Sequence, residues 1–550
     1  MTPLPHDIAA LPNLATTDFR AGPVRSQRPV YVDLLPPCNA ACPAGENCQE
    51  WLRLAKERDP QAAWRQIVRD NPFPAVHGRV CYHPCETACN RGELDSPIGI
   101  HAVERYLGDL AIEQKWTFEH PRNNTGYKIL VVGAGPAGLS CAYHLARIGH
   151  EVVVRDAGAK AGGMLRYGIP EYRLPRDVVD AEIARLEELG VTIELNARVE
   201  DLLAAQREGR FDAVFVGVGA GRSRHIDIPS MDAGRMMDAV DFLRDAADGG
   251  EPPRVGRRVA IYGGGNTAMD AARTARRLGA EEAIIIYRRT QAQMPAHEEE
   301  LEGAVAEGVQ TNWLRTITAA EGEELKVEIM KLDENGRSVG TGEFETLPAD
   351  TLILAVGQDA ETDFLRKIPG LRFDSDVVSI DPVTMMTDVP GIFAGGDAVP
   401  SDRTVTIAVG HGKKAARQID LWLNRLRDDS PAKHPVVGFD DLNLWYFGHN
   451  PRRVQPELDI EERSAGFEEI VGGLEPDQAI YEATRCLSCG NCIECDGCVG
   501  SCPEDAVIKL GKGKRYRYDY ERCTGCQNCF DQCPVHAIVM VAETERTRIN

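Results

Sequence analysis

The stretch YKILVVGAGPAGLSCAYHLARIGHEVVVRDA, residues 127–157, predicts a β-strand, a glycine-rich turn, an α-helix and a second β-strand. In its G-x-G-x-x-G spacing the first glycine permits a tight turn, the second lets the backbone approach a pyrophosphate, and the third lets helix and strand pack closely. The helix N-terminus then faces the phosphates. We therefore expect a bound dinucleotide, with Asp156 at the end of the second strand binding ribose hydroxyls. The turn residues expected to contact it are Gly133, Gly135, Pro136, Ala137 and Gly138.

A second unit of the same kind, RRVAIYGGGNTAMDAARTARRLGAEEAIIIYRR, spans residues 257–289. Its turn is the G-x-G-x-x-A variant, formed by Gly263, Gly265 and Ala268. The second strand ends in Arg288 and Arg289, with no acidic residue. An acid there favours NAD through the ribose 2′-OH, whereas arginine accommodates the 2′-phosphate of NADP. The sequence therefore favours NADP; the alternative is that the arginines only form a solvated strand end.

A third segment, PGIFAGGDAVPSDRTVTIAVGHGKKAARQI, residues 390–419, predicts a strand that enters a G-G-D turn and a helix that follows. We expect Gly396 and Asp397 to contact a flavin, with Asp397 hydrogen-bonding its ribityl or pyrophosphate region. The alternative is an ordinary surface turn. The order of the three segments indicates one dinucleotide fold into which a second is inserted.

The 17 cysteines lie almost entirely near the two ends of the chain. One group runs from Cys38 to Cys89 and another from Cys486 to Cys533, with only Cys141 between them. We expect Cys141 in the core, on the apolar face of the first predicted helix. Where thiols stay reduced, clustered cysteines indicate metal ligands rather than disulfides.

The C-terminal group contains two C-x2-C-x2-C-x3-C-P runs, as in bacterial-type ferredoxins. In two-cluster ferredoxins the fourth cysteine of each run ligates the other cluster. One [4Fe-4S] cluster is therefore expected on Cys492, Cys495, Cys498 and Cys533, and the other on Cys502, Cys523, Cys526 and Cys529. Zinc, the alternative for C-x2-C pairs, has no need of such a run. Cys486 and Cys489 are left over.

Composition narrows the class of protein. A chain of 550 residues is too long for one core and indicates roughly three or four domains. The formal charge of −22 argues against nucleic acid as a partner. No apolar stretch reaches the roughly 18 residues of a membrane span, and residues 1–22 lack a signal-peptide pattern, so we predict a cytoplasmic protein. We interpret the basic segment 509–522 as a hairpin between the ferredoxin halves; the alternative is a docking patch for an acidic partner.

The chain resembles the small subunit of glutamate synthase and its relatives, which include the flavin subunit of ferredoxin–NADP transhydrogenase and the N-terminal half of dihydropyrimidine dehydrogenase. The resemblance covers roughly residues 35–420. It is carried by GAGPAG (133–138), GGMLRYGIPEYRLP (162–175), GGGNTAMD (263–270), YRRTQAQMPAHEEE (287–300), AVGQ (355–358) and GGDAV (395–399). It implies FAD in the first fold, lined by Gly163, Met164, Leu165 and Arg173. It implies a nicotinamide dinucleotide in the inserted fold, contacting Asn266, Thr267, Arg288 and Arg289, with Glu300 or a neighbour as a further contact.

The same resemblance implies how the N-terminal ligands divide between two clusters. Relatives join a C-x2-C pair to the positions of Cys38 and Cys89, and they join Cys42, Cys81 and Cys85 to a glutamine or glutamate, here Glu104. This chain has no cysteine in residues 26–37, where that pair is expected. The matching EA-x-RC-L-x-C phrase stands instead at residues 482–489. We hypothesise that Cys486 and Cys489 fold back to complete the Cys38/Cys89 cluster.

Two alternatives to these N-terminal ligand sets remain open. Cys48 could replace Glu104 as a ligand, although its position in the family is normally apolar and helical, which favours a core role. Cys486 and Cys489 could be free thiols, which leaves three clusters instead of four.

The predicted fold is α/β, with two nested Rossmann-like dinucleotide-binding domains between an α-helical N-terminal iron–sulfur domain and a C-terminal α+β bacterial-type 2[4Fe-4S] ferredoxin domain. The predicted segments are an N-terminal iron–sulfur domain (1–122), the FAD-binding domain in two parts (123–254 and 356–430), the NADP(H)-binding domain (255–355), a connector (431–480) and the ferredoxin domain (481–550).

We therefore predict an FAD-dependent NAD(P)H oxidoreductase that exchanges electrons between NADP(H), FAD and a chain of [4Fe-4S] clusters. Because the cofactors carry this chemistry, no general acid, general base or nucleophile is expected. The expected partner is a ferredoxin or a catalytic iron–sulfur subunit, such as a 2-oxoacid oxidoreductase, in a hetero-oligomer. The alternatives are a stand-alone NADPH:ferredoxin oxidoreductase and an electron carrier or scaffold without turnover. A thioredoxin-reductase-like reaction is disfavoured because residues 142–485 contain no C-x-x-C.

Overall fold

The computed structural model describes residues 25–543, except 225, 227, 232–234 and 248–249. The segment 1–22, interpreted above as lacking a signal peptide, lies outside the described residues. Among the residues described, no helix is long and apolar enough to cross a membrane.

The N-terminal domain is helical, as predicted. Four of its helices begin with proline, which suits a first turn because no intrahelical hydrogen bond uses the missing N–H there. Side chains cap two of the helices: Asn47 accepts a hydrogen bond from Glu50 N, and Asp59 accepts one from Ala62 N. The helices are α1 (Pro37–Ala41), α2 (Cys48–Lys56), α3 (Pro60–Ile67), α4 (Pro74–Val80), α5 (Pro84–Thr87) and α6 (Ile100–Glu113), with a 3₁₀ turn at Asn90–Glu93. Strand β1 (Gln27–Tyr31) precedes them.

The first dinucleotide fold is a five-stranded parallel sheet in the order β19-β5-β2-β3-β4. Its strands are β2 (Lys128–Val132), β3 (Glu151–Arg155), β4 (Thr192–Glu194), β5 (Ala213–Val216) and, after the insertion, β19 (Ile392–Ala394). Its helices are α7 (Pro136–Ile148), α8 (Met164–Tyr167), α9 (Arg176–Glu188), α10 (Leu202–Gly209) and α14 (Val405–Leu423). Cys141 is fully buried on α7, so the core role predicted for it is confirmed.

The inserted fold has its own five-stranded parallel sheet, in the order β11-β10-β9-β15-β8. It comprises β8 (Arg235–Asp238), β9 (Arg258–Tyr262), β10 (Glu282–Tyr287), β11 (Gln310–Trp313) and β15 (Thr351–Leu354), with α11 (Ala239–Ala247), α12 (Asn266–Arg277) and α13 (Glu298–Ala306). A second sheet contains β7 (Ser230–Met231), β12 (Arg315–Glu321), β13 (Glu324–Leu332) and β14 (Ser338–Pro348). Because β8 pairs with β15, this fold begins before the predicted boundary at residue 255.

Two short antiparallel strand pairs lie outside the main sheets. β6 (Arg222–Ser223) pairs with β16 (Gln358–Asp359), and β17 (Phe373–Asp374) pairs with β18 (Val377–Val378). Further 3₁₀ turns lie at Gln291–Gln293, Asp363–Leu365 and Gly396–Ala398.

The N-terminal helices and the first dinucleotide fold share one apolar core. Trp64 and Phe73 belong to the same buried cluster as Tyr143 of α7, and the Trp64 ring stacks on Phe118 at 5.7 Å. The hydroxyl of Tyr143 also donates a hydrogen bond to Val68 O at 2.5 Å. The N-terminal domain is therefore packed firmly against the first fold.

The two ends of the chain meet in the C-terminal domain. This domain contains α16 (Pro476–Thr484), α17 (Gly497–Gly500), β20 (Val507–Lys509), β21 (Tyr516–Tyr518), α18 (Asn528–Asp531) and β22 (Ile538–Ala542). The hairpin predicted in segment 509–522 is confirmed, because β20 and β21 pair antiparallel. Strand β1 pairs antiparallel with β22, so residues 27–31 extend the C-terminal domain although the sequence placed them in the N-terminal one.

The connector predicted at 431–480 lies against the N-terminal domain. It contains α15 (Ile460–Ala465) and 3₁₀ turns at Phe439–Asp441 and Leu444–Tyr446. Glu469 forms an ion pair with Arg79 at 2.7 Å, and Arg452 forms one with Glu86 at 2.6 Å. These contacts bring α16 alongside α2 and α6.

Candidate functional site

The first glycine turn joins β2 to α7 and is closed by contacts that only glycine allows. Gly133 has φ 106°, and a Cβ on Gly138 would lie 1.8 Å from the carbonyl oxygen of Gly133. Gly135 faces open space, because the atom nearest to a Cβ added there is Gly163 Cα at 4.0 Å. The helix N-terminus beyond it has no side-chain cap. The turn therefore leaves room and free N–H donors for a pyrophosphate, and the residues fit FAD.

Asp156 follows β3 and holds the glycine turn in place. Its Oδ2 accepts a hydrogen bond from Ala134 N at 2.6 Å, and its Oδ1 accepts one from Gly158 N at 2.7 Å. The carboxylate thus lies beside the glycine turn, and its predicted contact with a ribose stays a prediction.

The segment 163–165 lies directly against this turn. Gly163 has φ 52°, and a Cβ there would lie 2.9 Å from Gly135 Cα. Met164 and Leu165 open α8, with Leu165 buried and Met164 partly exposed. These three residues are therefore placed where the resemblance put the lining of the flavin site.

Arg173 instead bridges the two dinucleotide folds. Its Nη1 donates to both carboxylate oxygens of Asp270 at 2.9 Å, and its Nη2 pairs with Glu300. Burial lowers the pKa of Arg173, but the charges of Asp270 and Glu300 outweigh it and hold the pKa well above the usual value. The guanidinium and Glu300, both predicted as cofactor contacts, are thus engaged with each other between the folds.

The G-G-D turn meets the first glycine turn. Gly396 has φ 68°, a Cβ there would lie 2.9 Å from the Ala137 Cβ, and Gly396 N donates to His411 Nδ1 at 3.2 Å. Burial raises the pKa of Asp397, while Arg403 opposes that rise. Within the described chain the Asp397 carboxylate has no hydrogen-bond or ion-pair partner, so it is available to a ligand.

The second glycine turn repeats the geometry of the first between β9 and α12. Gly263 has φ 151°, and a Cβ there would lie 2.1 Å from Ala355 O, whereas no atom of the described residues lies within 4 Å of a Cβ on Gly265. The α12 N-terminus has no side-chain cap. The side chain of Asn266 accepts from His297 N at 2.9 Å, and that of Thr267 accepts from Gln358 Nε2 at 3.5 Å. These residues fit a second dinucleotide.

Arg288 and Arg289 follow β10 at the carboxyl edge of the inserted sheet. Arg288 is exposed and Arg289 is partly buried. In the part of the chain that the structure describes, neither guanidinium has a hydrogen-bond or ion-pair partner. Both are therefore available to a ligand at the edge where dinucleotides bind.

Cys42, Cys81, Cys85 and Glu104 lie together beside the first fold. Thr406, in the first turn of α14, donates from Oγ1 to Cys81 Sγ at 3.0 Å. Burial raises the pKa of Cys81, and the nearby charges of Glu104 and Cys85 raise it further. Burial and the charges of Glu46 and Cys42 also raise the pKa of Glu104. The structure thus brings these four predicted ligands within electrostatic contact of one another.

Asn71, which the sequence did not assign to this group, and Cys48, its alternative ligand, also contact it. Asn71, fully buried, donates from Nδ2 to Glu104 Oε1 at 2.9 Å and to Glu46 Oε1 at 3.0 Å. A hydrogen bond from Cys48 lowers the pKa of Cys42 to about 7. Cys48 is buried in the N-terminal core, where it also contacts Cys38 and Cys85, and so it lies between the two predicted N-terminal sites.

Cys486 and Cys489 lie beside Cys38 and Cys89, although more than 390 residues of the chain separate them from Cys89. Burial, together with the charges of Cys38 and Cys89, raises the pKa of Cys486 to about 12. Burial likewise raises the pKa of Cys489, followed by the charge of Cys486. Asn90 donates from Nδ2 to Cys489 Sγ at 3.4 Å. The fold therefore brings together four cysteines from the two ends.

The eight cysteines of the ferredoxin runs form two spatial sets. Cys502, Cys523, Cys526 and Cys529 line one cavity. Cys492 interacts electrostatically with Cys498 and Cys533, and Cys533 with Cys495. The cysteine that crosses between runs is thus Cys502 in one set and Cys533 in the other, which fits two [4Fe-4S] clusters with exchanged fourth ligands.

The comparisons with known proteins agree with this geometry. Residues 127–412, just over half of the chain, match the pyridine nucleotide-disulphide oxidoreductase family. The chain belongs to this family. In this oxidoreductase, residues 26–116 match the dihydropyrimidine dehydrogenase domain II 4Fe-4S cluster family, and residues 491–537 match the 4Fe-4S dicluster domain. The predicted resemblance and fold class are therefore confirmed.

Several curated relatives span most of this oxidoreductase. The NADP(+)-dependent formate dehydrogenase subunit beta of Moorella thermoacetica is 37% identical over 501 residues, covering 82% of this chain and 70% of its own. The NADPH-Fe(3+) oxidoreductase subunit beta of Geobacter sulfurreducens is 33% identical, covering 82% and 75%. The NAD-dependent dihydropyrimidine dehydrogenase subunit PreT homolog of Salmonella typhi is 36% identical, covering 70% and 91%.

These findings establish an FAD- and iron–sulfur-dependent NAD(P)H oxidoreductase that acts in electron transfer. Bound FAD would supply hydride exchange with a nicotinamide, as two electrons, and single-electron exchange with iron–sulfur clusters. The two glycine turns would hold the phosphates of the dinucleotides, and the cysteine sets would hold the clusters.

Proposed function

We propose that this chain is the NADP(H)-facing subunit of a larger complex and carries electrons through FAD and four [4Fe-4S] clusters. The observation that supports this most directly is the continuous series of predicted ligand groups from the first dinucleotide fold to the C-terminal domain. Each group is joined to the next by a named contact.

The series begins beside the flavin fold. Thr406 lies on the helix that follows the G-G-D turn and contacts Cys81, so the set Cys42, Cys81, Cys85 and Glu104 is the nearest to FAD. Cys48 contacts members of this set and also Cys38, which makes the set Cys38, Cys89, Cys486 and Cys489 the second. In this assignment Glu104 is the fourth ligand of the first set and Cys48 is a core residue.

The series continues into the C-terminal domain. Gly490, next to Cys489, donates from its N–H to Val535 O at 2.6 Å, two residues beyond Cys533. The set Cys492, Cys495, Cys498 and Cys533 is therefore third. The set Cys502, Cys523, Cys526 and Cys529 is last, because Cys529 interacts electrostatically with Cys498 of the third set. Cys526 is exposed, which makes this end the point of exchange with a partner.

We further propose NADP(H) rather than NAD(H) as the nucleotide. The support is the pair Arg288 and Arg289, whose guanidinium groups have no hydrogen-bond or ion-pair partner among the described residues and lie where a 2′-phosphate is expected. A phosphate between two guanidinium groups gains charge-assisted hydrogen bonds that a ribose hydroxyl cannot make.

The proposed partner is a catalytic iron–sulfur subunit, such as a 2-oxoacid oxidoreductase, or a ferredoxin, in a hetero-oligomer. Two of the relatives above are named as beta subunits, which supports a role inside a complex. We propose a cytoplasmic location, because clustered thiols serve as metal ligands where a reducing compartment keeps them from forming disulfides.

The test uses protein purified anaerobically from its native host. We expect about 16 iron atoms per FAD, as four [4Fe-4S] clusters require. We also expect NADPH to reduce the clusters faster than NADH does. About 12 iron atoms would contradict the four-cluster assignment. Co-purification with a second subunit supports the complex, whereas a chain that elutes alone and reduces ferredoxin with NADPH indicates the stand-alone enzyme. If NADPH does not reduce the protein with FAD bound, the protein is an electron carrier without turnover.

A further inference from the structure

A strand from the N-terminal end completes the ferredoxin domain. β1 and β22 pair from Gln27 opposite Ala542 to Tyr31 opposite Ile538. Arg25 reinforces this contact by pairing with Glu543 at 2.7 Å and donating to Cys523 O at 2.9 Å. Because the strand is fixed at both ends, it holds Tyr31 in a defined position between the two ferredoxin cluster sets.

Tyr31 contacts one of the predicted ligands directly. Its hydroxyl lies 3.1 Å from Cys498 Sγ, and its ring stacks on Tyr518 at 4.9 Å with an interplanar angle of 20°. A cysteine that ligates iron is a thiolate and has no proton to give. The phenol of Tyr31 is therefore the donor in this hydrogen bond.

Two backbone donors are matched between the cluster sets: Ala506 N donates to Cys502 Sγ at 3.3 Å, and Ala537 N donates to Cys533 Sγ at 3.3 Å. Tyr518 interacts with both Tyr31 and Cys529, but among the described residues its hydroxyl makes no hydrogen bond of good geometry. The Tyr31 hydroxyl is therefore the tyrosine donor with a well-formed hydrogen bond to a predicted ligand sulfur of the ferredoxin domain, and that sulfur belongs to one set.

We propose that Tyr31 is a positioning residue that raises the reduction potential of the cluster on Cys492, Cys495, Cys498 and Cys533 relative to the cluster beside it. Reduction adds negative charge to a cluster, and a hydrogen bond to a ligand sulfur stabilises the more negative form. The N-terminal strand thus sets the difference in potential between the two ferredoxin clusters. This inference rests on the ligand sets of the proposed function.

The test is a redox titration of the whole holoenzyme followed by low-temperature EPR. Tyr31→Phe keeps the stacked ring and removes only the donor. We expect the midpoint potential of one ferredoxin-domain cluster to fall by the equivalent of a tenfold change in its one-electron equilibrium, about 59 mV, with the iron content unchanged. The matched control is Tyr520→Phe, which removes a hydroxyl that donates to Pro29 O at 2.9 Å in the same strand but makes no hydrogen bond to a cysteine sulfur of the described residues.

Four outcomes would overturn the inference. An unchanged potential in Tyr31→Phe would show that the hydroxyl does not tune the cluster. An equal shift in Tyr520→Phe, or loss of iron from Tyr31→Phe, would show that the residue only docks the strand. Absence of two ferredoxin-domain clusters from the wild-type protein would overturn the proposed function as well, and the iron count of that protein separates this case from the others.

Discussion

Replacing Cys486 and Cys489 together by alanine tests whether the two ends of the chain share one cluster. Both side chains lie with Cys38 and Cys89, and all four are at least partly buried. Removing two of four ligands leaves too few thiolates to hold a [4Fe-4S] cluster. We therefore expect iron to fall from about 16 to about 12 atoms per FAD, measured by elemental analysis of anaerobically purified protein.

The variant should stay folded, because the segment is held by contacts other than the cluster. The buried guanidinium of Arg485 donates to Ser96 O at 2.7 Å and pairs with Asp95 at 3.1 Å. Gly99 N donates to Glu482 Oε2 at 3.1 Å, on the helix that precedes Cys486. The ends therefore remain docked when the two sulfur atoms are removed.

In the double variant we expect electron transfer to stop before the ferredoxin-domain clusters. NADPH should reduce FAD in the variant at the wild-type rate, since both glycine turns are untouched. The ferredoxin-domain clusters should no longer follow on the same timescale in stopped-flow absorbance and freeze-quench EPR. Cys48→Ala is the matched control for a buried cysteine nearby and should keep about 16 iron atoms per FAD.

Two results would refute this reasoning. If the wild type and the double variant both contain about 12 iron atoms, Cys486 and Cys489 are free thiols. If Cys48→Ala loses about four iron atoms while the double variant loses none, the ligand sets are assigned wrongly.

Other changes give separate predictions. Arg288→Ala with Arg289→Ala should raise the KM for NADPH by roughly 10- to 150-fold, as expected for losing charge-assisted bonds of about 1.5–3 kcal/mol, and should leave the KM for NADH unchanged in steady-state assays. Asp270→Ala leaves the buried Arg173 with Glu300 alone and should cost about 3 kcal/mol, measured as a lower Tm. Gly138→Ala forces a Cβ against a carbonyl oxygen and should weaken FAD binding at least about tenfold, measured by flavin content after dialysis.

Each of these has a control on the same fold. Arg257→Ala removes an exposed arginine at the opposite end of the inserted sheet and should not alter the KM for NADPH. Asp241→Ala breaks an exposed pair with Arg244 and should cost under about 1 kcal/mol. Gly221→Ala adds a Cβ with no atom of the described residues within 4 Å and should retain FAD. Equal effects in a control and its partner would contradict the corresponding argument.

Local spacing in the sequence determined the two glycine turns, the nested order of the folds and the two ferredoxin runs. Each of these is a short segment whose chemistry depends on neighbours a few residues apart, so the chain itself displays it. The hairpin at 509–522 and the buried Cys141 were predictable for the same reason.

Only the tertiary structure showed the contacts between residues that lie far apart along the chain. No local pattern shows that Arg173 pairs with Asp270, that Asn71 holds Glu104, or that Thr406 reaches Cys81. The sequence suggested a missing half-site from the family pattern, but only the packing of the connector and α16 brings Cys486 to Cys38. Strand β1 joined the C-terminal sheet because an unpaired edge strand gains its hydrogen bonds from whichever partner the fold places beside it. Contacts of this kind depend on how separate domains pack, and they cannot be predicted from residue spacing along the chain.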